Sequence, residues 1–216
     1  MVEALVLTCG SARWPGTGTA TAVPARPGRE ELDPLLAALT GRRVVVCGTD
    51  ADLAAVVLRL LRTEILPTVA VGYVPVEVSS AVARLWGLPT VPAAAASLAL
   101  HGDPDPVPLV RDDAGGVLVG RGVVAPLDGV AYCDDEVVLR GCASRLEVTP
   151  DPQHGLVVRV VRRRLGLGVR QAAGRAVQLG CTPTSVWRDD VPYRTTDRWT
   201  WYRHTEDWQL IRPRTS

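Results

Sequence analysis

The chain has 216 residues, enough for a real core and for one or two domains. Hydrophobic residues make up 47%, charged residues 22%, and the net charge is +1, so nothing draws the whole molecule toward nucleic acid or an acidic membrane. The chain contains no lysine, which excludes a lysine-bearing P-loop, a Schiff-base lysine and the usual protein-kinase lysine.

Glu3 to Thr8 reads as a first strand. A Gly-, Pro- and Thr-rich loop follows, with a short strand at Thr19 to Val23. Glu30 to Leu39 is predicted as a helix with Leu32, Leu35, Leu36 and Leu39 on one face, ended by Gly41. Val44 to Cys47 is a β-branched run ending at Gly48, the pattern of a buried strand entering a tight turn. The next helix is apolar through Leu53, Val56, Val57, Leu60 and Leu61, with Asp50 or Asp52 as its cap. A further strand is expected at Thr68 to Val74 and a helix at Glu77 to Trp86, stopped by Gly87 and Pro89. Two strand-turn-helix units in succession imply a parallel sheet covered by helices. Ligands of such sheets sit at the carboxyl ends of the strands, here the Gly48–Asp52 and Pro75–Ser80 turns.

Ala93 to Leu100 is a last N-terminal helix. A Pro- and Asp-rich link at Gly102 to Pro108 divides the chain into an α/β domain, 1–104, and an all-β domain, 105–216. The second half has short Val-, Leu- and Tyr-containing runs separated by Gly, Asp and Pro, a hairpin-rich sandwich pattern. Leu165 to Gln178 is predicted as one more helix, weakened by Gly166, Gly168 and Gly174. A hairpin turns at Asp189 and Asp190, and two strands meet around Thr205 to Asp207. Trp187, Trp199, Trp201 and Trp208 are assigned to one covered sheet of the sandwich, and strand alternation puts Trp199 and Trp201 on one face.

The phrases GTDADL (Gly48–Leu53) and PVEVSSAVARLWGLP (Pro75–Pro89) resemble the GGDGTL and PLGTGNDFARSLGIP phrases of the diacylglycerol kinase and NAD kinase superfamily, the second without a gap. The resemblance continues in TPDPQHGLVVRVV (Thr149–Val161), and in Asp189-Asp190-Val191-Pro192 where the family carries Asp-Gly-Glu-Pro. It implies an NAD kinase/diacylglycerol kinase-like α/β domain with a parallel sheet, followed by a β-sandwich-like domain. It also implies a cofactor-binding set of Gly48, Thr49, Asp50, Ser79 and Ser80, and Asp189 as the base that accepts the substrate hydroxyl proton. Thr49, Ala51, Glu77 and Ser79 stand where the family has glycines, and the family's Asn-Asp pair is Ser80 and Ala81. The segment from Leu127 to Leu146 is shorter than in full-length members. The chain is therefore read as a shortened relative with a degenerate nucleotide site, non-catalytic, with a ligand-binding or regulatory role. The alternatives are an active ATP-dependent kinase of a diacylglycerol-type lipid or small alcohol, and a structural or oligomerisation module. Cofactors are unassigned; ATP and Mg2+ apply only if the family's site functions.

The partners that fit this reading are a nucleotide or lipid ligand and a second copy in a homodimer, with no nucleic acid and no integral membrane contact. Glu77 would set a carboxylate against passing phosphates, a repulsion of about 4 kcal/mol at roughly 4 Å and an effective dielectric near 20. Thr49 would be strained if its turn needs positive φ. Asp50 with Asp52 is open as a metal pair or a helix cap, and Ser79 with Ser80 as a phosphate holder or a cap. Asp134 to Glu136 reads as a hairpin tip or a metal site, and Arg162 to Arg164 as a solvated strand end or a head-group contact. No CxxC pair appears among the five cysteines, and no metal site is assigned. The amino-terminal run is too short for a signal peptide and no stretch spans a bilayer, so the expected compartment is the cytoplasm.

Overall fold

A computed structural model describes residues 4–39, 42–163 and 167–213. Its chain divides into two compact units: Met1–Val107 with Glu206–Ser216, and Pro108–Thr205.

The first unit is α/β. Its elements in order are β1 (Leu5–Cys9), β2 (Thr21–Val23), α1 (Arg29–Ala37), β3 (Arg43–Gly48), α2 (Asp50–Arg62), β4 (Ala70–Pro75), α3 (Ala81–Trp86) and α4 (Pro92–His101). β1 pairs in parallel with β2 and β3, and β3 with β4. Every residue of β3 is buried, as its unbroken apolar run demands. Side chains alternate across it. Val45 and Cys47 join Val6, Val74 and Ala95, Ala96 and Ala99 of α4 in one cluster. Val44 and Val46 face the other way, the side on which α2 brings Leu53, Val56, Val57 and Leu60 into the interior. α1 is tied to α2 by the Arg59–Asp33 ion pair.

The approach of α4 to β4 is close. A Cβ on Gly72 would lie 2.7 Å from the Ala99 carbonyl oxygen. At the far end of α4, buried Arg43 donates to the Ala99, Leu100 and Gly102 carbonyls at 3.0, 2.6 and 2.9 Å. These are carbonyls that a helix terminus leaves without a backbone partner. Burial pushes the Arg43 pKa down, against the pull of Asp103. Arg43 thus marks the amino ends of the strands, and the start of α4 at Val91 lies at their carboxyl ends.

The second unit is all-β and sandwich-like. β5 (Pro104–Asp112) enters it, running as a strand through much of the expected link. β6 (Val117–Leu118), β7 (Gly122–Ala125), β8 (Leu127–Cys133), β9 (Glu136–Ala143), β10 (Arg145–Asp151), β11 (Gly155–Arg163), β12 (Leu167–Gly174), β13 (Ala176–Arg188) and β14 (Val191–Ile211) follow. One layer has the order β12-β11-β10-β7-β13, and β13 also pairs with β8, which pairs with β9. β13 serves both layers through a register shift between Gly180 and Thr184, the usual device for a strand that turns a corner. Their shared core includes Val124, Leu139, Leu146, Val158, Val186, Trp199 and Trp201. The two indoles meet edge to face at 5.8 Å.

Three expectations are corrected. The helix expected over Leu165–Gln178 is strand β12 and the start of β13; Leu165 and Gly166 lie outside the described residues. Gly168 and Gly174 weaken a helix, and β11 offers a complete antiparallel partner from Leu156↔Gly174 to Arg163↔Leu167. The two strands expected around Thr205–Asp207 are one strand, β14, whose Gln209 and Leu210 pair in parallel with Ala70 and Val71 of β4 in the first unit. Of the four tryptophans assigned to the sandwich, only Trp199 and Trp201 enter its core. Trp208 is buried in the first unit, and Trp187 is exposed. Two other expected features, Glu3 and Gly41, lie outside the described residues. No described helix is long and apolar enough to cross a membrane.

Candidate functional site at the carboxyl ends of the parallel strands

β3 ends at Gly48 because α2 begins there at very short range. A Cβ on Gly48 would lie 2.7 Å from Asp52 Oδ2 and 3.1 Å from Cys9 Cβ. Thr49 is the N-cap, in place of Asp50 or Asp52. Its hydroxyl accepts from the Asp52 N–H at 3.3 Å, and the Asp52 carboxylate takes the Thr49 N–H at 2.8 Å and its hydroxyl at 2.9 Å. Thr49 has φ −83°, so the strain expected of a positive-φ turn does not arise. The second Asp52 oxygen accepts from the Arg26 N–H at 2.6 Å.

Asp50 has a different duty. It is buried, and its carboxylate accepts from Tyr73 OH at 2.8 Å, Ser80 Oγ at 2.5 Å, and the Ala81 and Val82 N–H groups at 2.7 and 3.2 Å. The last two are the leading amides of α3. Ser80 caps the same helix, its Oγ accepting from Ala83 N–H at 3.0 Å. The helix starts at Ala81 and not Glu77, because Val76 to Ser80 form a turn closed by Ser80 N–H to the Glu77 carbonyl. The structure thus brings Gly48, Thr49, Asp50 and Ser80 together. Ser79 sits on the exposed crest beside Val76, Glu77 and Val78, with its carbonyl accepting from Arg84.

Burial, reinforced by the charge and hydrogen bond of Asp50, pushes the Tyr73 phenol far up, so it remains a donor. Burial also raises the nearby thiols, Cys9 to about 12 and Cys47 to about 11. Neither is a nucleophile near neutral pH. The Asp50 and Asp52 carboxylates serve separate donor sets, and among the described residues no three His, Cys, Asp or Glu side chains gather as a metal site.

Asp189 lies in the second unit, at the turn between β13 and β14, with φ 47° there and 62° at Asp190. These are the paired left-handed residues of a two-residue hairpin. The carboxylate is buried and accepts from the amides of Val119, Gly120 and Arg121 at 3.3, 2.8 and 3.1 Å. It fastens the loop before β7 to the hairpin. Elsewhere in this unit, Asp134 accepts the Arg175 and Ala176 amides at the β8–β9 turn, and Glu136 pairs with Arg170. His154 closes on Asp151 through its amide and its ring. Arg162 donates to the Arg140 carbonyl; Arg164 lies outside the described residues. Sequence reading missed Tyr73 and the 119–121 amides, whose partners are dozens of residues away.

No protein-family profile matches the chain, and no curated protein sequence matches it. Solved structures do. It is similar to a putative diacylglycerol kinase from Bacillus anthracis at TM-score 0.74 and 13% identity, and to a second diacylglycerol kinase structure from that organism at 0.73 and 12%. Each alignment spans 98% of this chain and 97% of the other. An NAD kinase from Archaeoglobus fulgidus, solved in complex with ATP, aligns at TM-score 0.59 and 11% identity over 97% of this chain and 94% of that one. At such identities the likeness speaks for the fold, and the chain has the fold of the diacylglycerol kinase and NAD kinase structures: an α/β unit with a parallel sheet and a β-sandwich-like unit.

Proposed function

We propose that the chain is a non-catalytic, diacylglycerol kinase-like protein that acts by binding a ligand or by regulation. One observation carries the reading. Thr49 and Asp52, which stand where the family's GGDGTL phrase has Gly and Thr, close on each other: the Thr49 N–H and hydroxyl are both held by the Asp52 carboxylate, so this strand-end amide is occupied by the protein's own acid. Phosphoryl transfer depends on holding phosphates in place, chiefly with such donors. A carboxylate in that position repels a phosphate and occupies its partners. These residues do not fit a bound triphosphate with its metal ion.

Glu77 adds to this only modestly. It is exposed, so its repulsion of a phosphate falls from the 4 kcal/mol of a shielded pair toward about 1 kcal/mol in water. Asp189 supports the same reading, because its buried carboxylate already serves the fold by holding the Val119, Gly120 and Arg121 amides.

The test is a thermal-melting series with ATP, ADP and NAD, each with and without Mg2+, beside an ATP-turnover assay with diacylglycerol and with small alcohols. The expected results are no nucleotide shift and no turnover. A binder at a hundredfold excess over its dissociation constant would add about 2.7 kcal/mol of stability, so a true site would be visible. Mg2+-dependent turnover that disappears in a folded Asp189→Asn variant would overturn the proposal in favour of an active kinase.

A further inference from the structure

β12 is the last strand of its layer and pairs with β11 on one side. Among the described residues no strand pairs with its other side. Alternate residues of such an edge strand turn their N–H and C=O groups outward, a ready template for another chain. Proteins commonly defend edges with charged side chains, proline, a bulge or extreme shortness. Apart from Arg170, β12 has none of these: it is eight residues long, contains no proline, and keeps an unbroken register with β11. Residues 168–171 and 173 are exposed, Val169 by 49%. Its one charge, Arg170, is drawn to Glu136 at 2.7 Å.

We propose that this edge pairs with the β12 edge of a second copy of the chain, antiparallel about a two-fold axis at Gln171. The strand's own pattern selects the partner and the register. A two-fold axis perpendicular to the sheet keeps outward faces together, so only residues of the same parity can oppose each other. Centring on Arg170 would oppose two guanidinium groups. Centring on Gln171 opposes Gln171 with Gln171, whose side-chain amides hydrogen-bond to each other. It sets Val169 against the partner subunit's Ala173, Arg170 against the partner subunit's Ala172, and Gly168 against the partner subunit's Gly174. No like charges face each other, and outside the central Gln171 pair each bulky residue meets a small one. On the outer face, Val169 and Ala173 already lie beside Val161 and Val157 of β11, so the joined sheet gains a continuous apolar stripe.

Sedimentation equilibrium up to the hundred-micromolar range, with hydrogen exchange, tests this on the full chain. The wild type should show twice the chain mass and slowed exchange along β12. V169R/A173R, with both changes at exposed positions, sets arginine against arginine at two places and should abolish the dimer while keeping a cooperative melting curve, lowered only by the lost and concentration-dependent dimer stabilisation. V169R/A173E makes each opposing pair complementary and should restore it. A monomeric wild type overturns the proposal. So does a dimer that survives V169R/A173R, or one that V169R/A173E fails to restore.

Discussion

Replacing Asp50 separates a structural carboxylate from a nucleotide contact. Asp50→Ala removes the acceptor of four buried donors. Tyr73 OH retains a second acceptor, the Gly48 carbonyl at 3.1 Å, whereas the Ser80 hydroxyl keeps only the bond it accepts from Ala83 N–H. The Ala81 and Val82 amides are left without an acceptor, since no preceding helical turn exists to satisfy them. A buried polar group left without its partner costs about 1–3 kcal/mol, more where the lost acceptor was charged. Two such amides, with the emptied volume, give a loss of about 3–5 kcal/mol. Asp50→Asn keeps one acceptor oxygen but turns an NH2 toward donors, so it should recover only part of that loss. Urea unfolding followed by tryptophan fluorescence reads the change, and amide exchange at α3 locates it. A residue that served mainly to contact a nucleotide would leave stability nearly untouched. A loss below about 1 kcal/mol in Asp50→Ala would therefore refute the argument made from its four hydrogen bonds.

Gly72→Ala should destabilise the first unit by about 1–3 kcal/mol, because its Cβ would meet Ala99 at 2.7–2.9 Å and most of the nearby atoms are backbone; a melting curve matching wild type would show that α4 can shift at little cost. Thiol labelling of the native protein at pH 8 should modify exposed Cys142 first. Cys9, Cys47 and Cys133 should react only after unfolding, since burial holds them protonated, at about 12, 11 and 11. Mass spectrometry after brief iodoacetamide treatment checks the order.

What the sequence made legible was local. Val44–Gly48 reads as a buried strand because a β-branched run of that length has few other homes, and α2 follows from its apolar spacing. The Asp189–Asp190 turn was legible because those residues tolerate the left-handed region. The errors arose where a distant partner decided the outcome. β12 carries helix-compatible residues and is a strand because β11 lies beside it. Ser80 was visible as a cap. That Asp50, thirty residues earlier, would supply the acceptor for the rest of α3's first turn was not. The end of β14 gives no local sign that Gln209 and Leu210 pair with β4 in the first unit.

The same distinction bears on the residues of the resemblance that survive. Gly48 and Asp50 match the family's phrase, and both have work in the fold that needs no ligand. Gly48 is required because Asp52 and Cys9 leave no space for a side chain. Asp50 is required because α3 opens against it. Thr49, Glu77 and Ser79 depart from the phrase. There the fold accommodates a cap at ordinary φ and an exposed crest without demanding glycine. Retention follows structural need position by position. The matching residues alone therefore give no support to kinase chemistry, and a claim of activity has to stand on bound nucleotide and measured turnover.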